Sequence, residues 1–261
     1  MSERLSLTDD SLLAGYAENI QRFEFALEWC RGKRVLDAGS GSGYGAWHLA
    51  AHGASSVLGV DIAGDAISEA NARYQRDNLN FELLDLQLLD GAAVRRQFEA
   101  VVNFETLPHL REPDEFIKGV KSVLTAGGAF ITSVPNGEGV VTDASGKPLY
   151  RYQHKTYSAV ELEKYLAAHF SEVVMHGHWL THQGRLRKLR AREMFAQLAE
   201  AYYNPLARVG RAIKRMAGRK SEGPPEFRGE ADSYAGDYAI APLAAAAWPW
   251  APTTLIAVCK N

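Results

Sequence analysis

The 261-residue chain is 46 % hydrophobic and carries a net charge of −2, enough apolar content for one sizeable core with an appendage and no demand for a second domain. Its start, with Glu3, Arg4, Asp9 and Asp10, lacks the apolar stretch of a secretion signal, which predicts a cytoplasmic protein. Cys30 and Cys259, far apart and outside any metal-binding spacing, read as two reduced structural thiols.

From Ser11 to Trp29 the positions Leu12, Tyr16, Ile20, Phe23 and Leu27 recur at intervals of three and four, which predicts a helix lying on the core. Arg34 to Leu36 reads as a buried strand and Tyr44 to Ala51 as a helix, so Gly39, Gly41 and Gly43 occupy the turn between them. Lacking Cβ atoms, these residues let a ligand approach the main chain, and the N–H groups opening the helix face the same space. A dinucleotide frame through Gly41, Gly43 and Ala46 fits badly, because it leaves the charge of Asp37 where a pyrophosphate must come close. A cationic ligand reverses that argument, since a carboxylate in a partly buried cleft attracts opposite charge strongly. The α-ammonium and sulfonium of S-adenosylmethionine are such charges. The pattern Asp37-x-Gly39-x-Gly41-x-Gly43 resembles class I methyltransferases at this point, with Ser40 in the same turn.

The next strand, Ser56 to Val60, ends in Asp61, whose carboxylate can accept both ribose hydroxyls, with Ile62 against the adenine face. A helix is expected over Ala63 to Tyr74 and a third strand over Asn80 to Leu84. Asp85 then stands one strand along the rim, placed to accept from the adenine amino group, and Leu86 to pack the ring. Phe98 to Phe104 is the fourth strand, Pro113 to Leu124 a helix, Gly128 to Val134 the fifth strand, Ser158 to His169 a helix and Val173 to His178 the sixth strand. Such alternation demands a mostly parallel sheet with helices on both faces, an α/β fold.

The stretches "GKRVLDAGSGSGYGAWHLA", "FEAVVNFETLPHL", "GGAFITSVPN" and "HKTYSAVEL" resemble one branch of the class I S-adenosylmethionine-dependent methyltransferases. It includes ubiquinone-biosynthesis O-methyltransferases and many enzymes of polysaccharide and natural-product pathways. The resemblance covers about residues 12 to 179 and the last strand, 253 to 260. It implies a Rossmann-like seven-stranded sheet whose last strand is antiparallel beside the sixth, with a helical insertion between those two. It also implies that the N-terminal helical cap, residues 1–33 with Tyr16 as lid candidate, helps cover the cofactor.

Methyl transfer from a sulfonium is an in-line displacement, so the protein mostly positions the acceptor and excludes water, adding a base where a hydroxyl must lose its proton. Asn103, Phe104, Glu105 and His109 fall at the tip of the fourth strand, where acceptors meet the methyl group; Asn103 is also counted among the cofactor contacts. The family folds the later loop bearing His154 over the same cleft. Some relatives carry Glu-x-x-Glu-His plus a distant His and can bind a divalent metal. Here Pro108 replaces the second carboxylate, so no metal is expected. His109 and His154 are the candidate bases, with Glu105 orienting one imidazole.

Between Thr181 and Lys220 eleven Lys and Arg face only Glu193 and Glu200, on two stretches with amphipathic helical spacing. This basic insertion, within residues 180–252, stays open to three readings: a solvated cap over the acceptor pocket, a surface for an anionic acceptor, or a membrane-surface contact. No nucleic-acid-binding module is visible. Ile240 to Cys259 is uncharged and long enough to span a bilayer, yet Pro242, Pro249 and Pro252 favour a surface loop leading into the last strand. The expected activity is methyl transfer to a small-molecule hydroxyl or amine. Two alternatives stand beside it, a catalytically inactive cofactor-binding protein and, less favoured, an RNA methyltransferase.

Overall fold

A computed structural model describes residues 10–89, 97–139, 153–181, 237–245 and 251–261, with side chains from residue 18 onward. The chain divides into two compact units. One holds Glu18–Trp179 and Ile240–Asn261; the other holds Leu5–Ala17 and Leu180–Ala239, of which few residues are described. Residues 182–236, which carry the basic stretches of the insertion, lie outside the described residues, and so does the side chain of Tyr16.

The elements in chain order are α1 (Asp10–Cys30), β1 (Arg34–Ala38), α2 (Tyr44–Ala51), β2 (Ser56–Asp61), α3 (Gly64–Arg73) and β3 (Leu79–Leu83), followed by β4 (Phe98–Phe104) and α4 (Pro113–Val123). After these come β5 (Leu124–Pro135), α5 (Ala159–Ala167), β6 (Glu172–Leu180), β7 (Tyr238–Pro242) and β8 (Thr254–Lys260). The sheet runs β3-β2-β1-β4-β5-β8-β6-β7. From β3 to β5 every pairing is parallel, and β8 inserts antiparallel between β5 and β6.

Both faces of the sheet are buried, which is why its strands read as apolar runs. Successive side chains alternate between the faces. Leu36, Leu58, Val101, Phe130 and Leu255 pack with Phe116 and Val120 of α4 and Leu162 and Leu166 of α5. Val35, Val57, Val102, Ile131 and Ile256 pack with Phe23 and Leu27 of α1, Leu49 of α2 and Ile67 of α3. Cys259 and Cys30 belong to opposite layers, both buried and unpaired, and burial pushes each thiol up to about 12. Ser158 starts α5 with a capping box to Glu161.

One expectation needs correction. Residues from Ile240 were read as loop up to the last strand, but Tyr238–Pro242 forms an eighth strand at the sheet edge. Pro242 ends it without conflict, because an edge strand leaves N–H positions unused by any ladder. The uncharged tail thus supplies two sheet strands, and no described helix is long and apolar enough to cross a membrane.

Candidate functional site

The sheet order reverses between β1 and β4, and in open α/β sheets ligands gather in the crevice outside the strand ends at such a switch point. The glycine turn sits there. Gly39, Gly41 and Gly43 all have positive φ, 92°, 52° and 83°, a region that side chains with a Cβ enter only at a cost. The turn is pinned to β2: the Gly39 and Ser40 N–H groups donate to the Val60 carbonyl at 2.8 and 2.9 Å, and Gly41 N–H donates to Asp61 Oδ2 at 2.9 Å. A Cβ on Gly43 would lie 2.7 Å from Ala70 Cβ and Phe81 Cζ, and one on Gly39 would run into Thr106; one on Gly41 would meet nothing within 4 Å. Gly39 and Gly43 are thus required by packing. Gly41 borders open space.

Asp37 shares the sheet face of Val35 and is 1 % exposed. Burial, then the negative charge of Asp61, pushes its carboxyl up to about 7, although the Ala46 N–H at the start of α2 donates to it. Its Oδ2 and the Ser40 Oγ have no protein partner, and buried polar atoms rarely stay so. A positively charged ligand would satisfy the first. Asp61 spends one lone pair of each oxygen on Gly41 N–H and Ala63 N–H, leaving others available. Ile62 is 66 % exposed beside it, an apolar surface without a protein cover. Asp85 accepts from Gln87 N–H at 3.0 Å and remains half-buried.

Two of the expected cofactor contacts are buried in the protein itself. Leu86 is 4 % exposed and packed in the core layer of α4. Asn103 is fully buried, donating to the Ala38 carbonyl at 2.7 Å and accepting from Thr132 at 3.2 Å. It ties the end of β1, where the glycine turn begins, to β4 and β5. The isolated sequence marks both residues only as strand-tip neighbours, and burial decides their roles.

At the end of β4, Glu105 takes φ 56°, the one positive value of a non-glycine among the described residues. Such strain persists only where surroundings enforce it. Here Glu105 N–H donates to the Ser133 carbonyl at 3.0 Å, and the Ser133 hydroxyl donates to Glu105 Oε1 at 2.9 Å. The turn Leu107–His109 follows, and the Pro108 carbonyl accepts from His154 N–H at 2.8 Å, so the segments carrying His109 and His154 are adjacent. Sequence reasoning missed Arg22. This arginine is 3 % exposed, bonded to Asn19 and 3.9 Å from Glu105, and its Nε has no acceptor. Its only sequence signal is a cation beside Phe23 on the apolar side of α1. Two further histidines lie on β6, the His176 ring against Phe25 and the His178 Nε2 3.2 Å from Gln21 Oε1.

Residues 35–128, which contain the glycine turn, Asp61, Asp85 and the β4 tip, match the family model described as a methyltransferase domain. A probable S-adenosylmethionine-dependent methyltransferase of Mycolicibacterium smegmatis is 32 % identical over 188 residues, 66 % of this chain and 70 % of that protein. A tRNA U34 carboxymethyltransferase of Methylococcus capsulatus is 34 % identical over 121 residues, 45 % of this chain and 37 % of that protein. Among solved structures, a methyltransferase of Thermotoga maritima described as a possible histamine N-methyltransferase aligns over 95 % of this chain and 91 % of its own, with a TM-score of 0.57 and 11 % identity, a likeness of fold. The unsatisfied acid under a glycine turn and the extended match to the mycobacterial relative lead to one conclusion: the chain belongs to the S-adenosylmethionine-dependent methyltransferases.

Proposed function

We propose that this methyltransferase acts on a hydroxyl, or an amine, of a small-molecule acceptor such as a sugar, a glycan intermediate or a specialised metabolite. The observation that carries the reading is the junction of the His109 and His154 segments beside Glu105 at the end of β4. S-adenosylmethionine supplies an activated methyl and a neutral leaving thioether, so the protein's remaining task with a hydroxyl acceptor is to hold it in line and remove its proton. His109 or His154 takes that proton, and Glu105, held by Ser133, orients the imidazole.

On the cofactor side, Asp37 faces the positive charge, Asp61 accepts the ribose hydroxyls, Ile62 lies along the adenine and Asp85 takes its amino group. Arg22, a buried cation with an unused Nε, suits the carboxylate. Asp61→Ala is therefore expected to weaken S-adenosylmethionine binding by about 1–3 kcal/mol, roughly fivefold to 150-fold, because hydrogen bonds to a charged group are lost and the Gly41 turn is released. Isothermal calorimetry reads this directly. A Kd equal to the parent's removes Asp61 from the site.

A methyl-transfer assay over a panel of hydroxyl and amine acceptors tests the acceptor side. His109→Ala or His154→Ala is expected to lower kcat by about 10²-fold or more without changing S-adenosylmethionine affinity. Full rates in both variants would end the base assignment. Pro108, where metal-binding relatives carry an acid, favours a second reading as a cofactor-binding protein without turnover. Binding with no transfer to any small acceptor selects that reading, whereas transfer to RNA alone would replace the acceptor class.

A further inference from the structure

We propose that Glu24, His48 and His52 form a second site, for one divalent transition-metal ion of the zinc class, at the end of α2 remote from the glycine turn. The glycine turn leads into α2 at Gly43, and His52 closes its other end. The ligand atoms of the three residues all lie within 4.8 Å of one another. His48 and His52 stand four apart, on one helical face, the spacing with which two imidazoles reach a common ion. Their rings are stacked with centroids 4.0 Å apart. Glu24 comes from α1, its Oε1 2.7 Å from His48 Nε2.

Three further features suit a cation. His52 Nδ1 is 2.8 Å from the His48 carbonyl, so Nδ1 carries the proton and Nε2 keeps its lone pair, the arrangement found where a ligating histidine donates its other N–H to backbone oxygen. The C-terminal end of a helix carries partial negative charge. His48 is 7 % exposed, so an ion at its Nε2 displaces little water. Two imidazoles and one carboxylate, with water in the fourth position, match zinc preferences; hard cations prefer oxygen. Tetrahedral zinc sets its ligands about 3.3 Å apart, given bonds of about 2.0–2.1 Å. Glu24 and His52 are exposed, so their side chains have room to adjust toward that spacing. The ion would then clasp α1 to α2.

The test uses the full chain stripped of metal by a chelator, with zinc measured by competition against a chromophoric chelator and cobalt by the visible absorption of a tetrahedral complex. One equivalent of zinc is expected to bind, with tetrahedral cobalt bands and a Tm raised by several degrees. His52→Ala and Glu24→Gln are expected to lose at least tenfold in zinc affinity and the Tm rise, while keeping the circular dichroism and S-adenosylmethionine affinity of the parent. His109→Ala is expected to bind zinc as the parent does. The proposal is overturned if the parent shows no saturable binding up to tens of micromolar zinc, or if His52→Ala and Glu24→Gln bind it unchanged.

Discussion

Asp37→Asn is expected to make the ligand-free chain more stable at pH 8 and to remove most of its affinity for S-adenosylmethionine. Burial, then the neighbouring Asp61, raises the Asp37 carboxyl from its ordinary 3.8 to about 7. The folded chain therefore holds this proton more tightly than the unfolded chain does. The stabilisation from that proton is complete below the ordinary carboxyl range and is lost as pH rises through about 7. At pH 8 the parent keeps a buried anion whose Oδ2 has no partner, and a neutral isostere removes that penalty, about 1–3 kcal/mol. In a chain of this size that raises Tm by about 2–4 °C for each kcal/mol. The same substitution removes the charge proposed to meet the sulfonium and ammonium, so Kd should rise about 100-fold, the scale of truncating one partner of a buried charge pair. Calorimetry at pH 6 and pH 8 adds a signature: parent affinity increases with pH, and the variant's does not. If the variant binds as tightly as the parent at pH 8, Asp37 does not face the ligand's charge.

Gly43→Ala is expected to damage the fold itself. The residue has φ 83°, where a Cβ costs about 1–2 kcal/mol, and the new methyl would sit 2.7 Å from Ala70 Cβ and Phe81 Cζ. Both neighbours are buried in the layer between sheet and helices, so neither can swing away. Strain and overpacking together predict a loss of about 3–5 kcal/mol, read as a lower midpoint in urea unfolding. Gly41→Ala separates fold from function. At φ 52° with nothing within 4 Å, its added Cβ costs the fold about 1 kcal/mol, while occupying the space through which a ligand reaches the turn. Equal unfolding midpoints for the two variants would mean that the turn does not have this geometry.

Asp37, the spaced glycines and Asp61 were legible because their chemistry is local: an acid at a strand end, residues without Cβ, a second acid one strand along. The mostly parallel sheet followed from alternation, since apolar runs separated by helical rhythm admit few sheets, and the antiparallel last strand from the resemblance. The roles of Asn103 and Leu86 depend on what covers them, and neither composition nor spacing contains that information. Arg22 and Glu105 are 83 positions apart in the chain and meet only because α1 packs over the end of β4. The β7 strand escaped notice because five residues ending in proline carry too short a pattern to stand out from a loop.

Residue order alone established a parallel α/β sheet, the glycine turn and the acid beneath it, because main-chain geometry and short-range periodicity express themselves within a few neighbours. Folding in three dimensions decided which polar atoms are left without partners, which glycines packing cannot replace and which distant side chains meet. Those properties are set by desolvation and by contacts between segments remote in the chain.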